Sequence, residues 1–220
     1  MPRWQRLWHP WGWLLILLAV LTAVPDVDLR VSGAFHDPAQ GFAPWQTGFG
    51  EFVRRVLPRL IIGSAVVCVG LWLVGLARKQ TVAAMTTPRL AFLVSTLIVG
   101  PGLIVETLLK PNWGRARPDE IVPFGGTFAY TPPLWFADAC ERNCSFASGH
   151  AAVAFWVTAY AFLLPPRYYR LGMALGLLFG AGVGLVRVMQ GAHFISDVIY
   201  AGAIVVAVNA IAARVILKRP

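Results

Sequence analysis

The chain has 220 residues, 57% of them hydrophobic and only 13% charged, with a formal net charge of +9. Soluble globular domains carry about 25% charged residues, so this composition excludes an ordinary soluble domain and makes the bilayer the expected solvent. The basic excess is expected at helix ends beside anionic lipid; with no Arg-rich tail or aromatic-interleaved basic stripe, no nucleic-acid partner is expected.

A helix needs about 20 apolar residues to cross the hydrocarbon core. Runs of that kind, taken in chain order, predict an all-α polytopic membrane protein: a single domain over 1–220 with six transmembrane helices and two long outer loops. The first run, Trp11 to Val24, follows Arg3 and Arg6. It also reads as a secretory signal with a small residue at Ala23, although Leu21 stands where such a signal prefers a small residue. The loop from Pro25 to Arg59 comes next. Its Trp45, Phe49, Phe52 and Val53 beside Arg54, Arg55 and Arg59 suit a helix lying in the interface, in contact with lipid.

The second run is Leu60 to Ala77, where Cys68 is expected as a small buried apolar residue. The third is Leu90 to Leu109, and the second long loop follows it, from Lys110 to Gly149. Cys140 and Cys144 lie four apart in that loop. An oxidising compartment permits a disulfide there, whereas a metal pair lacks further Cys or His partners. The fourth run is Ala151 to Leu164. In the fifth, Leu171 to Val186, a stripe of Gly172, Gly176, Gly180 and Gly184 implies close packing on a neighbouring helix. The sixth, Val198 to Leu217, carries Asn209.

Placing both termini in the cytoplasm leaves ten basic residues inside against nine outside, a small positive-inside bias. The bias grows once Lys110, Arg115, Arg117 and Arg187 are set aside as site candidates. The expected location is a bacterial inner membrane, multi-pass, with both long loops and the active site facing the periplasm.

Charged residues at the ends of apolar spans are expensive without a task, and three groups of them fall on this outer side. They occupy residues 110–118 (Lys-Pro-Asn-Trp-Gly-Arg-Ala-Arg-Pro), 144–150 (Cys-Ser-Phe-Ala-Ser-Gly-His) and 187–197, where Arg187 precedes His193 and Asp197. If the sixth span begins near Ala192, His193 and Asp197 share a helical face. The carboxylate then holds one imidazole nitrogen and leaves the other free to attack. Lys110, Arg117 and Arg187 would neutralise a phosphoryl group by forked and point-charge contacts, with no metal and no cofactor. Ser148 and the N–H of Gly149 add donors where the dipole of the fourth span favours an anion, and His150 would protonate the departing oxygen. Each group alone has a duller reading, a structural interfacial histidine or a snorkelling helix end. Glu106, one turn before Lys110, can pair with it. Arg115 meets a second phosphate, a headgroup or solvent.

The three groups together resemble the motifs of the type 2 phosphatidic acid phosphatase superfamily, Lys-x6-Arg-Pro, Pro-Ser-Gly-His and Ser-Arg-x5-His-x3-Asp. The resemblance implies phosphate binding by Lys110, Arg117, Ser148, Gly149 and Arg187, a phosphohistidine on His193, acid catalysis by His150 and orientation by Asp197. Ala147 replaces the Pro of the second motif and Val186 the Ser of the third; neither change removes a charged or nucleophilic group. Residues 112–118 with Phe124-Gly-Gly-Thr and Tyr130-Thr-Pro are similar to the bacterial lipid A 1-phosphatases of that superfamily. The implied partner is a lipid phosphate, with phosphatidylglycerophosphate or undecaprenyl diphosphate as alternatives to lipid A, and transfer to a second lipid as an alternative to hydrolysis. A small transporter would need polar residues deep in several spans. Apart from Asn209 and scattered Ser and Thr, the interiors are apolar. The sequence carries no reading of oligomeric state.

Overall fold

The structure is a computed structural model describing residues 18, 19, 22–24 and 26–218. Its main helices in chain order are α1 (Asp26–Gly33), α2 (Gly48–Ala77), α3 (Thr87–Asn112), α4 (Gly149–Trp156), α5 (Thr158–Ala161), α6 (Pro166–Met189) and α7 (Ile195–Ile216). No strand occurs among the described residues, only two isolated bridges.

Prolines shape the two long helices on the N-terminal side. α2 starts behind Thr47, whose hydroxyl accepts the Gly50 N–H at 3.1 Å, a side-chain cap. It then takes a π turn over Phe52–Val56 just before Pro58. Pro58 has no N–H to give the Arg54 carbonyl in an α-helical register, which leaves that carbonyl open to another donor. α3 is π-helical over Ile98–Leu109, and Pro101 lies inside that stretch.

Among the described residues four helices, α2, α3, α6 and α7, are long and apolar enough to cross a membrane. Their outward residues, such as Val66 and Val67 of α2 and Leu175 and Leu178 of α6, are exposed apolar side chains that suit lipid rather than water. The expected spans need two corrections. The second begins at Gly48 rather than Leu60, so the segment read as a separate interfacial helix is the first part of α2. The fourth, Ala151 to Leu164, breaks at Val157 into α4 and α5, each too short to qualify as a span. Its Ala151, Ala152, Ala154, Trp156 and Ala159 are fully buried, so its apolar run fills the core instead of facing lipid. The first, Trp11 to Val24, lies mostly outside the described residues; Thr22 within it hydrogen-bonds the Tyr200 hydroxyl of α7 at 2.6 Å.

α4 is the hub of the bundle, packed on α2, α3, α6 and α7. The Trp156 indole N–H donates to Thr96 Oγ1 of α3 at 3.0 Å, so this large buried ring has its one polar group satisfied. The glycine stripe of α6 makes the approach of α4, α5 and α7 possible. A Cβ at Gly176 would stand 2.9 Å from Thr158, at Gly180 2.3 Å from Phe155, and at Gly184 2.2 Å from Val198. The N-terminal parts of α2, α4 and α7 and the C-terminal ends of α3 and α6 gather at one end of the bundle, and the cavity lies there.

Candidate active site

At that end a cavity of about 320 Å³ is lined by Arg54, Arg55, Pro58, Arg59, Lys110, Arg117, Asn143, His150, Arg187 and His193. The structure thus brings the three charged groups of the sequence together, 83 residues apart at their extremes from Lys110 to His193. Lys110 closes the C-terminal end of α3 and pairs with Glu106 at 3.2 Å, one turn back, as its spacing predicts. Arg117 is braced by the Asn143 carbonyl, which accepts its Nη2 at 2.7 Å. Arg187, in the last turn of α6, donates to Gln190, while its Nε is buried without a partner.

His193 sits outside the helix it was expected to join. α7 starts at Ile195, and Asp197 is therefore a first-turn residue whose Oδ2 accepts the Phe194 N–H at 2.9 Å. The imidazole Nδ1–H donates to the Ser145 carbonyl at 2.8 Å, and Asp197 Oδ2 stands farther off, at 3.8 Å. Asp197 reaches the ring through an intermediary, because the Ser145 hydroxyl donates to the same carboxylate. With Nδ1 carrying the proton, Nε2 keeps its lone pair. Burial pushes the His193 imidazole down to about 4, against the opposing pull of Asp197, so the ring is neutral near pH 7. His150 opens α4 behind the Ser148 cap, and its Nε2–H donates at 3.0 Å to the Arg54 carbonyl left open by Pro58.

Ser148 and Gly149 lie under the cavity rather than on its lining. The Ser148 hydroxyl accepts the Ala151 N–H, and its own N–H donates to the Asp197 carbonyl at 3.2 Å. A Cβ on Gly149 would fall 1.7 Å from Glu106 Oε1 and 3.3 Å from Lys110 Nζ, so glycine lets the Glu106–Lys110 pair press against the start of α4.

Arg115 requires a correction. The expectation of a headgroup or second-phosphate contact fails because the side chain is fully buried and its donors are engaged. Nε donates to the Thr131 carbonyl at 2.8 Å, Nη1 to Ser196 and Asp197, and Nη2 to Asp28 at 2.7 Å and Tyr130 at 3.3 Å. The guanidinium also stacks over Phe194, 4.2 Å from the ring centroid. Burial works against its charge, but the Asp197 and Asp28 carboxylates outweigh that and raise its pKa above the ordinary value. Gly114, at φ +67°, turns the chain inward where a Cβ would lie 1.7 Å from the Ala137 carbonyl.

Cys140 and Cys144 form a disulfide in the loop above the cavity. No cluster of three or more His, Cys, Asp or Glu side chains fit to hold a metal ion occurs among the described residues. Reading the sequence missed two features. Arg54, Arg55 and Arg59 line the cavity, and the Glu51-x-x-Arg54-Arg55 spacing, with ion pairs at 2.7 and 2.6 Å, was the available signal. Asp28, on α1, carries no sequence pattern that points to Arg115.

Six cations and two imidazoles at one end of an apolar helical bundle define a membrane protein built around an anion-binding cavity. The family model described as PAP2 superfamily matches residues 88–220, which include all three charged groups. The chain belongs to the PAP2 superfamily and is a phosphatase. It is similar to a lipid A 4′-phosphatase of Francisella tularensis subsp. novicida, 31% identical over 87% of this chain and 84% of that protein. A lipid A 4′-phosphatase of Rhizobium leguminosarum is 32% identical over 86% of each chain. A lipid A 1-phosphatase of Rhizobium etli is 35% identical over 86% of this chain and 79% of that one. No solved structure shows a significant match.

Proposed function

We propose that the protein removes a phosphate monoester from lipid A at the periplasmic face of a bacterial inner membrane, through a phosphohistidine on His193. The observation that carries this reading is a cavity that Lys110, Arg117, His150, Arg187 and His193 line together, three cations around two imidazoles. Nε2 of His193 attacks phosphorus. The N–P bond forms as the bond to the lipid oxygen breaks, and His150, entering as the imidazolium with its Nε2–H on the Arg54 carbonyl, gives that oxygen its Nδ1 proton. Lys110, Arg117 and Arg187 offset the charge on the phosphoryl oxygens. Water then attacks the phosphohistidine with His150 taking its proton, and phosphate leaves as His193 regains its lone pair. Asp197 and Ser145 keep Nδ1 protonated; Ser148 and Gly149 hold the start of α4 in place.

The 1-phosphate and the 4′-phosphate are both candidate groups, since relatives named lipid A 4′-phosphatase are 31–32% identical and those named lipid A 1-phosphatase 31–35%. In this reading the chain crosses the membrane six times with both termini cytoplasmic. The crossings are Trp11 to Val24, the four long helices and the α4–α5 pair, which runs about 20 Å and is shielded from lipid by its neighbours. The test incubates the purified protein with lipid A, phosphatidylglycerophosphate, phosphatidic acid and undecaprenyl diphosphate and measures phosphate release, with mass spectrometry locating the lost group. Lipid A is expected to turn over fastest, EDTA to leave the rate unchanged, and His193→Ala to abolish it. Release retained in His193→Ala rejects the mechanism, and labelled phosphate recovered on a second lipid makes the protein a phosphotransferase.

A further inference from the structure

The phosphoryl site uses Lys110, Arg117 and Arg187, but three more arginines line the same cavity from α2. We infer that Arg55 and Arg59, with Arg54 beside them, form a second anion subsite that takes a further phosphate-like group next to the one being removed. This deepens the lipid phosphatase reading and rests on it.

Charge carries the argument. The lining holds six cations and no carboxylate. Two carboxylates touch that set from outside, Glu51 on Arg54 and Arg55 and Glu106 on Lys110. Asp119 makes no side-chain ion pair with it but acts through space on Arg117 and Arg187. With Glu51, Glu106 and Asp119 each set against one cation, three positive charges stay uncompensated, while a phosphate monoester brings about −1.5 to −2 near pH 7. The remainder calls for further negative charge beside the first group. Like charges packed this closely repel unless anions lie between them.

Two of the α2 arginines, Arg54 and Arg55, are held in place and the third is left open. Glu51 receives Arg54 through both oxygens, Nε to Oε1 at 2.8 Å and Nη2 to Oε2 at 2.7 Å, and fixes Arg55 Nε at 2.6 Å. Arg59 is exposed, and its side chain makes no hydrogen bond or ion pair among the described residues. At about 320 Å³ the cavity is at the small end of ligand pockets, about 300–1,000 Å³, which suits the polar part of a lipid with its acyl chains left in the bilayer.

The second group belongs either to the substrate itself or to a neighbouring anionic lipid. Phosphate release is measured for full-length protein from bisphosphorylated and monophosphorylated lipid A, each in phosphatidylcholine vesicles with and without phosphatidylglycerol. If the group is on the substrate, wild type prefers the bisphosphorylated lipid in kcat/KM. Arg59→Gln lowers that preference about fivefold, Arg55→Gln/Arg59→Gln lowers it further, and Arg59→Lys keeps it. If the group is on a neighbour, phosphatidylglycerol stimulates turnover of the monophosphorylated lipid, and Arg59→Gln removes the stimulation. Variants that scale both substrates by one factor in both vesicles, or change neither, overturn the subsite. Should wild type release no phosphate from either lipid, the lipid phosphatase reading fails. Calorimetric titration with inorganic phosphate then decides the subsite: two ions bound by wild type and one by the double variant support it, and one ion bound by both overturns it.

Discussion

Arg115→Met tests the buried network behind His193. The substitution keeps the volume close and removes every guanidinium donor, those to Thr131, Ser196, Asp197, Asp28 and Tyr130. Asp28 is 2% exposed and Asp197 0%, so two carboxylates would be left in the interior without their cation. Breaking one partner out of a buried ion pair costs about 3–5 kcal/mol. For a chain of this size that corresponds to a fall in Tm of roughly 6–20 °C. The assay is tryptophan fluorescence during thermal unfolding in detergent. Arg115→Met/Asp28→Asn is expected to recover part of the loss, since one stranded charge is gone. In the folded variant kcat should fall more than KM rises, because Asp197 anchors Ser145, whose carbonyl orients His193, whereas Arg115 touches no substrate. A Tm within about 2 °C of wild type, or a raised KM with kcat intact, would refute the network and restore a headgroup role.

Three further outcomes follow from the geometry. The depressed His193 pKa means that the unfolded state binds the extra proton between the ordinary 6.5 and about 4. Stability should therefore be full above pH 6.5 and decline between 6.5 and about 4, while the His193-dependent rate of the folded protein holds until the pH nears 4; a rate–pH profile with its acid limb at 6.5 would contradict the buried, neutral ring. Gly149→Ala places a methyl against Glu106 and Lys110, so kcat/KM should drop at least tenfold with folding largely retained, as read by phosphate release and circular dichroism. Gly180→Leu drives a large side chain into Phe155 at the centre of the bundle, and thermal unfolding should show a loss of at least 3 kcal/mol or no folded protein.

Apolar runs and charge spacing made much of this molecule legible, for local reasons. The length of an apolar stretch is set by the bilayer, so α3, α6 and α7 were readable to within a few residues. The same rule misjudged α4 and α5, since an apolar run does not say whether lipid or protein surrounds it, and here Trp156 and its alanines face protein. The start of α2 was missed because Phe52 to Arg59 mixes apolar and basic residues, which also suits an interfacial helix. The meeting of Lys110, Arg117, His150, Arg187 and His193 in one cavity was legible because their types and spacing suit a shared anion. Arg115 was not, since its environment is built by Asp28, 87 residues earlier, and by Asp197 across the fold. The Ser145 carbonyl that holds His193 is a backbone group, and no residue type announces it.

The central claim, that His193 becomes phosphorylated, is tested most directly by trapping. Protein mixed rapidly with ³²P-labelled lipid A and quenched in alkali should carry acid-labile, alkali-stable label on the peptide containing His193, and His193→Ala should carry none. Turnover in wild type with no protein-bound label at any quench time, or label mapped to another residue, would contradict the account.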